Sequence, residues 1–397
     1  MTDPFAPSRR DFLAASAVGL LGLTNLAQGE ESRSDSALLY VGTYTDGTRS
    51  EGIHLARMDR RSGELRLVGS FAAGPNPSFL AIHPNGRVLY AVNEVEAHNG
   101  RATGAVSAFA IAPDTGALTR LNEQPSEGGA PCYVSVDRSG RAVLVANYAG
   151  GSVALLPIQP GGALAAATHV AKHQGVGPNA ERQEAPHAHC IVADPSNRFA
   201  LAADLGADRV LVYRVDLDAG ALLHVEQSDA VMHPGSGPRH LAFHPKLPLV
   251  FVANELDSTV TTLGFDREAG ALSPLRTVST LPAGWRGANY TADIHVATSG
   301  RTLYVSNRGH NSLAVFSVAD STGALSLDQV VSTRGDWPRN FSLDPTGRWL
   351  LVANQKSGSV VVFARDQESG RLTPTAQRLA IPSPVCLRFH AHVGVTT

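Results

Sequence analysis

Cysteine, tryptophan and clustered basic residues are all scarce in this 397-residue chain, and the scarcity of each excludes a class of protein. Three cysteines are an odd and sparse set, which excludes a disulfide framework. Each lies in a predicted inner strand, where a buried thiol is expected: Cys132, Cys190 and Cys386. The formal net charge is −2 and no run of Lys or Arg occurs, so neither nucleic acid nor an anionic membrane is indicated as a partner.

The N-terminus carries a predicted targeting segment. Residues 8–13 read SRRDFL, and the apolar run that follows, AASAVGLLGLTNLA, is too short and too rich in Gly and Ala for a transmembrane helix. The paired arginines resemble the twin-arginine signal, which exports folded proteins; an ordinary secretory signal and an uncleaved anchor are the alternatives. A small-x-small pattern at 27–29 is a cleavage site. We expect a signal peptide at 1–29, a linker at 30–36, a periplasmic or extracellular domain at 37–397, and no stable membrane span after cleavage.

The rest of the chain repeats one unit. A Gly-x-Leu triplet, typical of a turn that leads into a strand, occurs seven times at spacings of 46 to 58 residues, ending at Leu65, Leu118, Leu164, Leu222, Leu272, Leu325 and Leu372. A proline stands 16 residues before an asparagine in four copies, at Pro77, Pro131, Pro238 and Pro338. Apolar residues alternate with polar ones between these markers, which indicates strands rather than helices.

This period predicts an all-β ring. Each unit contains four short strands, and one such antiparallel sheet cannot bury both faces alone, so neighbouring sheets must stack. The first copy, which starts with LLYVGTYT at residue 38, lacks an opening strand, whereas PVCLRFH at 384–390 is an opening strand with none after it. Joined in one sheet, they complete the seventh unit and close the ring. We predict a seven-bladed β-propeller with four antiparallel strands in each blade.

The topology of such a blade places two kinds of position on one rim of the central channel. The innermost strand begins, and the second strand ends, at the same face. Arg239 begins the strand in GPRHLAFHP and Glu255 follows the strand LVFVAN, so both are expected at this rim. The same positions in other blades predict the remaining site residues: His187, His189 and Arg339 at strand starts, and Glu94, Asp204, Arg308 and Gln355 at strand ends.

These residue types suit an anionic or oxygen-rich small molecule. Arginine offers a planar fork for carboxylate or phosphate, and a histidine or carboxylate can move a proton. His187 and His189 alternate along a strand and would suit a metal, but no third clustered ligand is visible, so we predict no metal site. A salt-bridge network without function is the alternative, and the asparagines at the strand ends are expected to hold turns. The insert at 161–185 leads into the histidines and could form a rim loop.

Seven segments carry a resemblance to a known family. In order they are YVGTYT (40–45), PHAHC (186–190), ADLGADRV (203–210), HPGSGPRHLAFHP (233–245), NEL (254–256), SNRGHNSLAVF (306–316) and WPRNFSLDPTGRWLLVANQ (337–355). Together they resemble the seven-bladed propeller lactonases, the family of the propeller-type 6-phosphogluconolactonase, which is related to the fungal carboxy-cis,cis-muconate lactonising enzyme. The resemblance spans about residues 37 to 390.

The resemblance implies a carboxylic ester hydrolase that opens a sugar δ-lactone, such as 6-phospho-D-glucono-1,5-lactone or a related aldonolactone, with water and no cofactor. It implies Glu255 or His189 as general base on the water. It also implies that Arg239 and Arg308 hold the phosphate or carboxylate and stabilise the oxyanion. By this resemblance the catalytic set is His187 or His189, Arg239, Glu255 and Arg308, with Arg339 as a further substrate-binding residue. His189 aligns with Arg239 in the repeat and ranks first of the two histidines.

Other functions stay open. Phosphorylated sugar lactones are scarce outside the cytoplasm, so an exported protein is expected to act on an unphosphorylated aldonolactone or on a lactone from polysaccharide breakdown. Lactonisation of an unsaturated diacid, as in the muconate-type relative, would use the same arginines, and a non-catalytic binding propeller is the third alternative. WD-repeat and quinone-cofactor propellers are not indicated, because no Trp-Asp or other tryptophan motif recurs among the three tryptophans. We expect a monomer.

Overall fold

The computed structural model describes residues 35–390. The predicted signal peptide at 1–29 and the linker up to residue 34 lie outside the described residues. Within the described range, no helix has the length and apolarity that crossing a membrane requires.

The described residues form 29 strands and one 3-10 helix, Glu226–Ser228. In chain order the strands are β1 (Ser36–Thr43), β2 (Ile53–Asp59), β3 (Leu65–Phe71), β4 (Leu80–Ile82), β5 (Val88–Asn93), β6 (Ala105–Ile111), β7 (Leu118–Pro125), β8 (Pro131–Val136), β9 (Ala142–Asn147), β10 (Ser152–Pro157), β11 (His169–Lys172), β12 (Ala188–Ala193), β13 (Phe199–Asp204), β14 (Arg209–Asp216), β15 (Ala221–His224), β16 (Ala230–Val231), β17 (Pro238–Phe243), β18 (Leu249–Asn254), β19 (Thr259–Phe265), β20 (Leu272–Ser279), β21 (Tyr290–Val296), β22 (Thr302–Arg308), β23 (Ser312–Val318), β24 (Leu325–Ser332), β25 (Pro338–Leu343), β26 (Trp349–Asn354), β27 (Ser359–Arg365), β28 (Leu372–Ala380) and β29 (Pro384–Phe389).

These strands form seven antiparallel sheets, which confirms the predicted seven-bladed propeller. Six sheets follow chain order, from β4–β7 to β25–β28, and the short β16 adds a fifth strand to the sheet of β12–β15. The seventh has the order β29-β1-β2-β3, with Leu39 opposite Phe389 and Tyr40 opposite Arg388. The two ends of the chain therefore share one blade, as predicted, and close the ring.

The second strand of each blade forms the packed centre of the fold. Every residue of β5, β9, β13 and β18 is buried. Because blades stack face to face, both sides of these strands are covered, which explains apolar runs such as LVFVAN. The outermost strands, such as β20, are largely exposed. Each fully buried Val, Leu or Phe side chain contributes about 1.5–3 kcal/mol, so the stacked strands hold the channel walls in place.

The asparagines at the ends of the second strands tie down neighbouring loops, as expected. Asn93 Nδ2 donates hydrogen bonds to the backbone oxygens of Ala73 and Pro75, at 2.7 and 2.9 Å. Asn307 Nδ2 donates to Thr280 O at 3.0 Å in another blade. These bonds hold the loops that surround the channel mouth.

A β-bulge interrupts the innermost strand of five blades at one equivalent place. The register shifts across Cys132 in β8, His189 in β12, Arg239 in β17, Arg339 in β25 and Val385 in β29. A bulge re-aims the side chain of the extra residue. The repeat register that aligned His189 with Arg239 and Arg339 is therefore confirmed, and each of these blades presents one such side chain near the start of its innermost strand.

Candidate active site

The two kinds of rim position predicted from the repeat meet at one end of the channel. Arg239 lies in β17, Glu255 directly follows β18, and Arg308 ends β22 in the next blade. Arg239 Nε and Arg308 Nη2 lie 2.9 and 2.7 Å from Glu255 Oε2. All three side chains are at most 5% exposed. The strand ends thus bring two arginines onto one buried carboxylate.

A third arginine, Arg182, reaches the same carboxylate from the insert at 161–185. Its Nη2 donates hydrogen bonds to Glu255 Oε1 at 2.8 Å and to the Tyr148 hydroxyl at 3.3 Å. The side chain of Arg182 is 35% exposed, unlike those of the other two arginines. The insert therefore forms part of the rim. Reasoning from the repeat missed Arg182 because the insert has no counterpart in other blades, and its position just before the histidines was the available signal.

These arginines decide the charge state of Glu255. Burial raises the pKa of the Glu255 carboxyl, but Arg308, Arg239 and Arg182 outweigh burial and hold that pKa well below its usual range. Burial lowers the pKa of Arg308 to about 9, against the opposing effect of Glu255, so Arg308 stays charged at neutral pH. Breaking a buried ion pair by removing one partner typically costs about 3–5 kcal/mol. Glu255 is thus ionised at neutral pH and contacts all three arginines.

A second hydrogen-bonded group comes from the neighbouring blades. Arg339 Nη2 donates to the Tyr44 hydroxyl at 2.8 Å, and this hydroxyl lies 2.9 Å from both carboxylate oxygens of Glu94. The Ser78 hydroxyl also donates to Glu94 Oε2. The structure therefore brings Glu94 and Arg339 together, as their rim positions predicted. Tyr44, in the loop after β1, was missed, although the segment YVGTYT contributed to the family resemblance.

Tyr148 packs against both histidines of the PHAHC segment. Its ring stacks on His187 with centroids 4.4 Å apart and meets the edge of His189 at 5.5 Å. Both ring nitrogens of His187 have protein acceptors, Tyr148 O at 3.0 Å and Glu184 Oε1 at 3.1 Å. The contacts of His187 therefore hold the rim of the channel in place.

His189 lies deeper than His187, and its ring nitrogens have fewer hydrogen-bond partners. Its Nδ1 is 3.6 Å from Cys132 Sγ, and within residues 35–390 its Nε2 has no hydrogen-bond partner. Burial lowers the pKa of His189 well below its ordinary value, and the charges of Arg239 and Arg339 lower it further. The ring is consequently neutral at physiological pH, so one of its two nitrogens carries a lone pair.

Asp204 does not join the arginines. Its carboxylate is fully buried, lies within hydrogen-bond distance of His173 Nδ1 at 2.6 Å, and accepts hydrogen bonds from the backbone N–H groups of His187 and Ala207. The Asp204 carboxylate holds the loop before β12 and the loop after β13. The geometry therefore does not support the predicted contact with a substrate.

Gln355 follows β26 at the rim, as predicted. Its backbone N–H donates to Trp337 O at 3.0 Å. Its side-chain oxygen is buried and has no hydrogen-bond partner in the described part of the chain. An unpaired buried acceptor is costly, and a substrate hydroxyl would satisfy it. Its role in substrate binding stays a prediction.

Two cavities, of about 400 and 1060 Å³, open on the opposite face of the ring, where the innermost strands end. We place the site at the arginine mouth instead, because the charged rim residues converge there, whereas several polar groups of the cavities bond with the backbone. Arg388 donates to Leu80 O, and His83 Nε2 bonds with Gly140 O. Among residues 35–390, no group of three or more His, Cys, Asp or Glu side chains is arranged to hold a metal ion.

A seven-bladed ring with arginines and carboxylates converging on one channel mouth defines a propeller with a site for an anionic or oxygen-rich small molecule. The family model described as "Lactonase, 7-bladed beta-propeller" matches residues 38–389. The chain belongs to this family of propeller lactonases.

Individual relatives agree with this membership. The chain is 39% identical over 350 residues to a 6-phosphogluconolactonase of Bacillus subtilis, covering 88% of this chain and 97% of the relative. It is 34% identical over 358 residues to a 6-phosphogluconolactonase of Formosa agariphila, covering 89% and 99%. The solved structure of a periplasmic gluconolactonase of Pseudomonas aeruginosa matches with a TM-score of 0.83 and 36% identity, covering 90% of this chain and 99% of that one.

Proposed function

We propose that this protein hydrolyses a sugar lactone at the arginine mouth of its channel. The observation that carries the proposal is the buried carboxylate of Glu255 with Arg182, Arg239 and Arg308 around it. Relatives named 6-phosphogluconolactonase and periplasmic gluconolactonase support the same chemistry.

The arginines bind the substrate and stabilise charge. Four arginines at this mouth face the carboxylates of Glu255 and Glu94, which leaves positive charge in excess. Preorganised donors in a site with little water stabilise an oxyanion more strongly than water does. Arg239 and Arg308, which are buried and held in place, are therefore assigned to the oxyanion that develops on the lactone carbonyl.

The contacts and the low pKa of Glu255 bear on which residue acts as the general base. Sequence reasoning left Glu255 and His189 as alternatives. Both carboxylate oxygens of Glu255 are occupied by arginine nitrogens, and accepting a proton would leave those arginines uncompensated. We assign Glu255 to ordering the arginines. We assign His189 to taking a proton from the attacking water, because its Nε2 has no hydrogen-bond partner among residues 35–390.

The proton balance is then complete. Water adds to the lactone carbonyl and gives one proton to His189. The tetrahedral oxyanion collapses, the bond between the carbonyl carbon and the ring oxygen breaks, and His189 returns the proton to that oxygen. The product is an open-chain hydroxy acid, which releases its carboxylic proton to solvent.

We propose that the protein is exported and that its natural substrate is an unphosphorylated aldonolactone. The twin-arginine-like segment at 8–13 supports export, and the Pseudomonas neighbour is named periplasmic. A monomer is the expected state, because one chain supplies all the side chains named at the mouth.

The test is proton release by the protein from residue 30 onward, with gluconolactone and 6-phosphogluconolactone as substrates. We expect acceleration over spontaneous hydrolysis, with the higher kcat/KM on gluconolactone. Arg276→Ala, which removes an exposed arginine of β20, is the matched control and should leave kcat/KM unchanged. Acceleration of neither lactone, or activity only on an unsaturated diacid, would contradict the proposal.

A further inference from the structure

A chain of buried hydrogen bonds runs from Arg239 into the channel. Arg239 Nη1 lies 3.2 Å from His240 Nε2, and His240 Nδ1 lies 2.8 Å from Asp293 Oδ1. Arg239 Nη1 also donates to Ala292 O at 2.6 Å. Arg239, His240 and Asp293 are 2%, 3% and 4% exposed. None of these contacts is part of the arginine–glutamate cluster, so they have a separate role to explain.

The donors and acceptors along this chain leave one arrangement of protons. A guanidinium only donates, so His240 Nε2 must accept from Arg239 and carries no proton. An ionised carboxylate only accepts, so His240 Nδ1 must carry the proton and donate it to Asp293. His240 is therefore a neutral ring of fixed tautomer. Burial and the charge of Arg239 agree with this, since they lower the pKa of His240 to about 3.

Asp293 is itself held from several sides. Its Oδ2 accepts from His295 Nε2 at 2.9 Å and from Asn340 Nδ2, and Phe341 N donates at 3.3 Å. Asn340 in turn accepts from Leu387 N at 2.7 Å in the blade that closes the ring. Asp293 is thus fixed by β21, β25 and β29 together, and it transmits that rigidity to His240.

The Arg239 guanidinium is therefore held at one terminal nitrogen, Nη1, and not at the other, Nη2. Nη1 of Arg239 is held by His240 and Ala292. Its Nε lies 2.9 Å from Glu255 Oε2, an ion-pair contact that does not have the direction of a hydrogen bond. Among residues 35–390, Nη2 has no hydrogen-bond partner. A donor assigned to an oxyanion is effective only if its direction is set before the substrate arrives.

We propose that His240 and Asp293 are positioning residues for catalysis, a pair that orients the Arg239 guanidinium so that Nη2 points at the reacting carbonyl. This rests on the proposed hydrolysis of a lactone, in which Arg239 stabilises the oxyanion. Neither residue touches the substrate; both act through Arg239.

Two substitutions of His240 separate positioning from packing. His240→Gln can keep an acceptor for Arg239, whereas His240→Leu removes it at similar volume. We expect His240→Leu to lower kcat on the order of 10-fold or more with a smaller change in KM, because the lost interaction belongs to the transition state. His240→Gln should recover most of that loss, and Asp293→Ala, which leaves His240 Nδ1 without its acceptor, should behave like His240→Leu. His224→Gln is the matched control, since His224 pairs with Asp229 on the outer strand β15, away from this pair, and its loss should leave kcat within about 3-fold.

Histidine ¹⁵N NMR of the unmodified protein tests the hydrogen-bond chain without reference to activity. The His240 resonances should report a protonated Nδ1 and an unprotonated Nε2 from pH 8 to pH 5. A folded His240→Leu variant with unchanged kcat, equal losses in the Leu and Gln variants, or the opposite tautomer would overturn the proposal. If the unmodified protein opens no lactone but shows the expected tautomer, the proposed function fails and with it the catalytic role of the pair. The NMR result then shows that the hydrogen-bond chain itself is present.

Discussion

Arg339 donates a 2.8 Å hydrogen bond to the hydroxyl of Tyr44, a residue 295 positions away in the chain. The guanidinium also lies over the Tyr44 ring, 5.3 Å from its centroid. The contact exists because β29 and β1 share a blade, which brings the first loop of the domain beside the sixth sheet. Tyr44 then passes the contact on to Glu94 in the next blade. Closure of the ring therefore completes the site as well as the fold.

Tyr44→Phe should weaken substrate binding more than it weakens the fold. The variant loses the hydroxyl that links Arg339 to Glu94, so Arg339 is no longer held, and we expect KM to rise about 3- to 10-fold with about 1 kcal/mol of unfolding free energy lost. Steady-state kinetics and urea denaturation measure both. Tyr304→Phe is the control, because that hydroxyl bonds with Gly370 O and Arg365 in another blade. Equal kinetic effects in both variants would contradict the role of Tyr44.

Glu255→Gln should lower kcat on the order of 10²-fold and also destabilise the protein. The substitution leaves three arginines without their shared carboxylate, and about 3–5 kcal/mol of unfolding free energy should be lost. Kinetics at a temperature where the variant is fully folded, checked by circular dichroism, separate the two effects. Glu123→Gln, which removes a partly exposed ion pair with Arg120, should change neither by much. An unchanged kcat in folded Glu255→Gln would remove Glu255 from the mechanism.

Arg182→Ala should raise KM about 10-fold with little loss of stability. Its side chain is 35% exposed, so water replaces its contacts with Glu255 and Tyr148 at small cost. The substrate loses the one accessible arginine of the three that contact Glu255. Thermal melting and the KM for the preferred lactone are the measurements, with Arg276→Ala as control. A fall in kcat without a change in KM would show that Arg182 acts in the chemical step instead.

The pH profile should distinguish His189 from an ordinary histidine. Burial and the charges of Arg239 and Arg339 lower its pKa well below 6.5, so the ring stays neutral as the pH falls from 8 to 6. We expect kcat/KM to stay flat over that range and to decline only at lower pH, when His189 gains a proton. His189→Gln should lower kcat on the order of 10²-fold over the whole range. An acid limb centred at or above pH 6.5 would identify a different base.

Much of the site was readable from the repeat. The proline-to-asparagine spacing predicted where innermost strands begin and second strands end, and the structure brings Arg239, Glu255 and Arg308 together there. Local periodicity suffices for this, because a strand of fixed length in a repeated blade carries its first and last residues to the same rim. The insert and the loop after β1 follow no period, so Arg182 and Tyr44 could not be placed in the same way.

The sequence by itself determined the seven blades, the shared closing blade and the rim positions, because each depends on strand period and spacing alone. The tertiary structure decided which rim residues contact one another. It turned Asp204 away toward His173, placed three arginines around Glu255, and stacked His240 and Asp293 behind Arg239. Charge states followed from those contacts, since the pKa of a buried group depends on which charges lie within a few ångströms of it. No spacing along one chain encodes those distances between different blades.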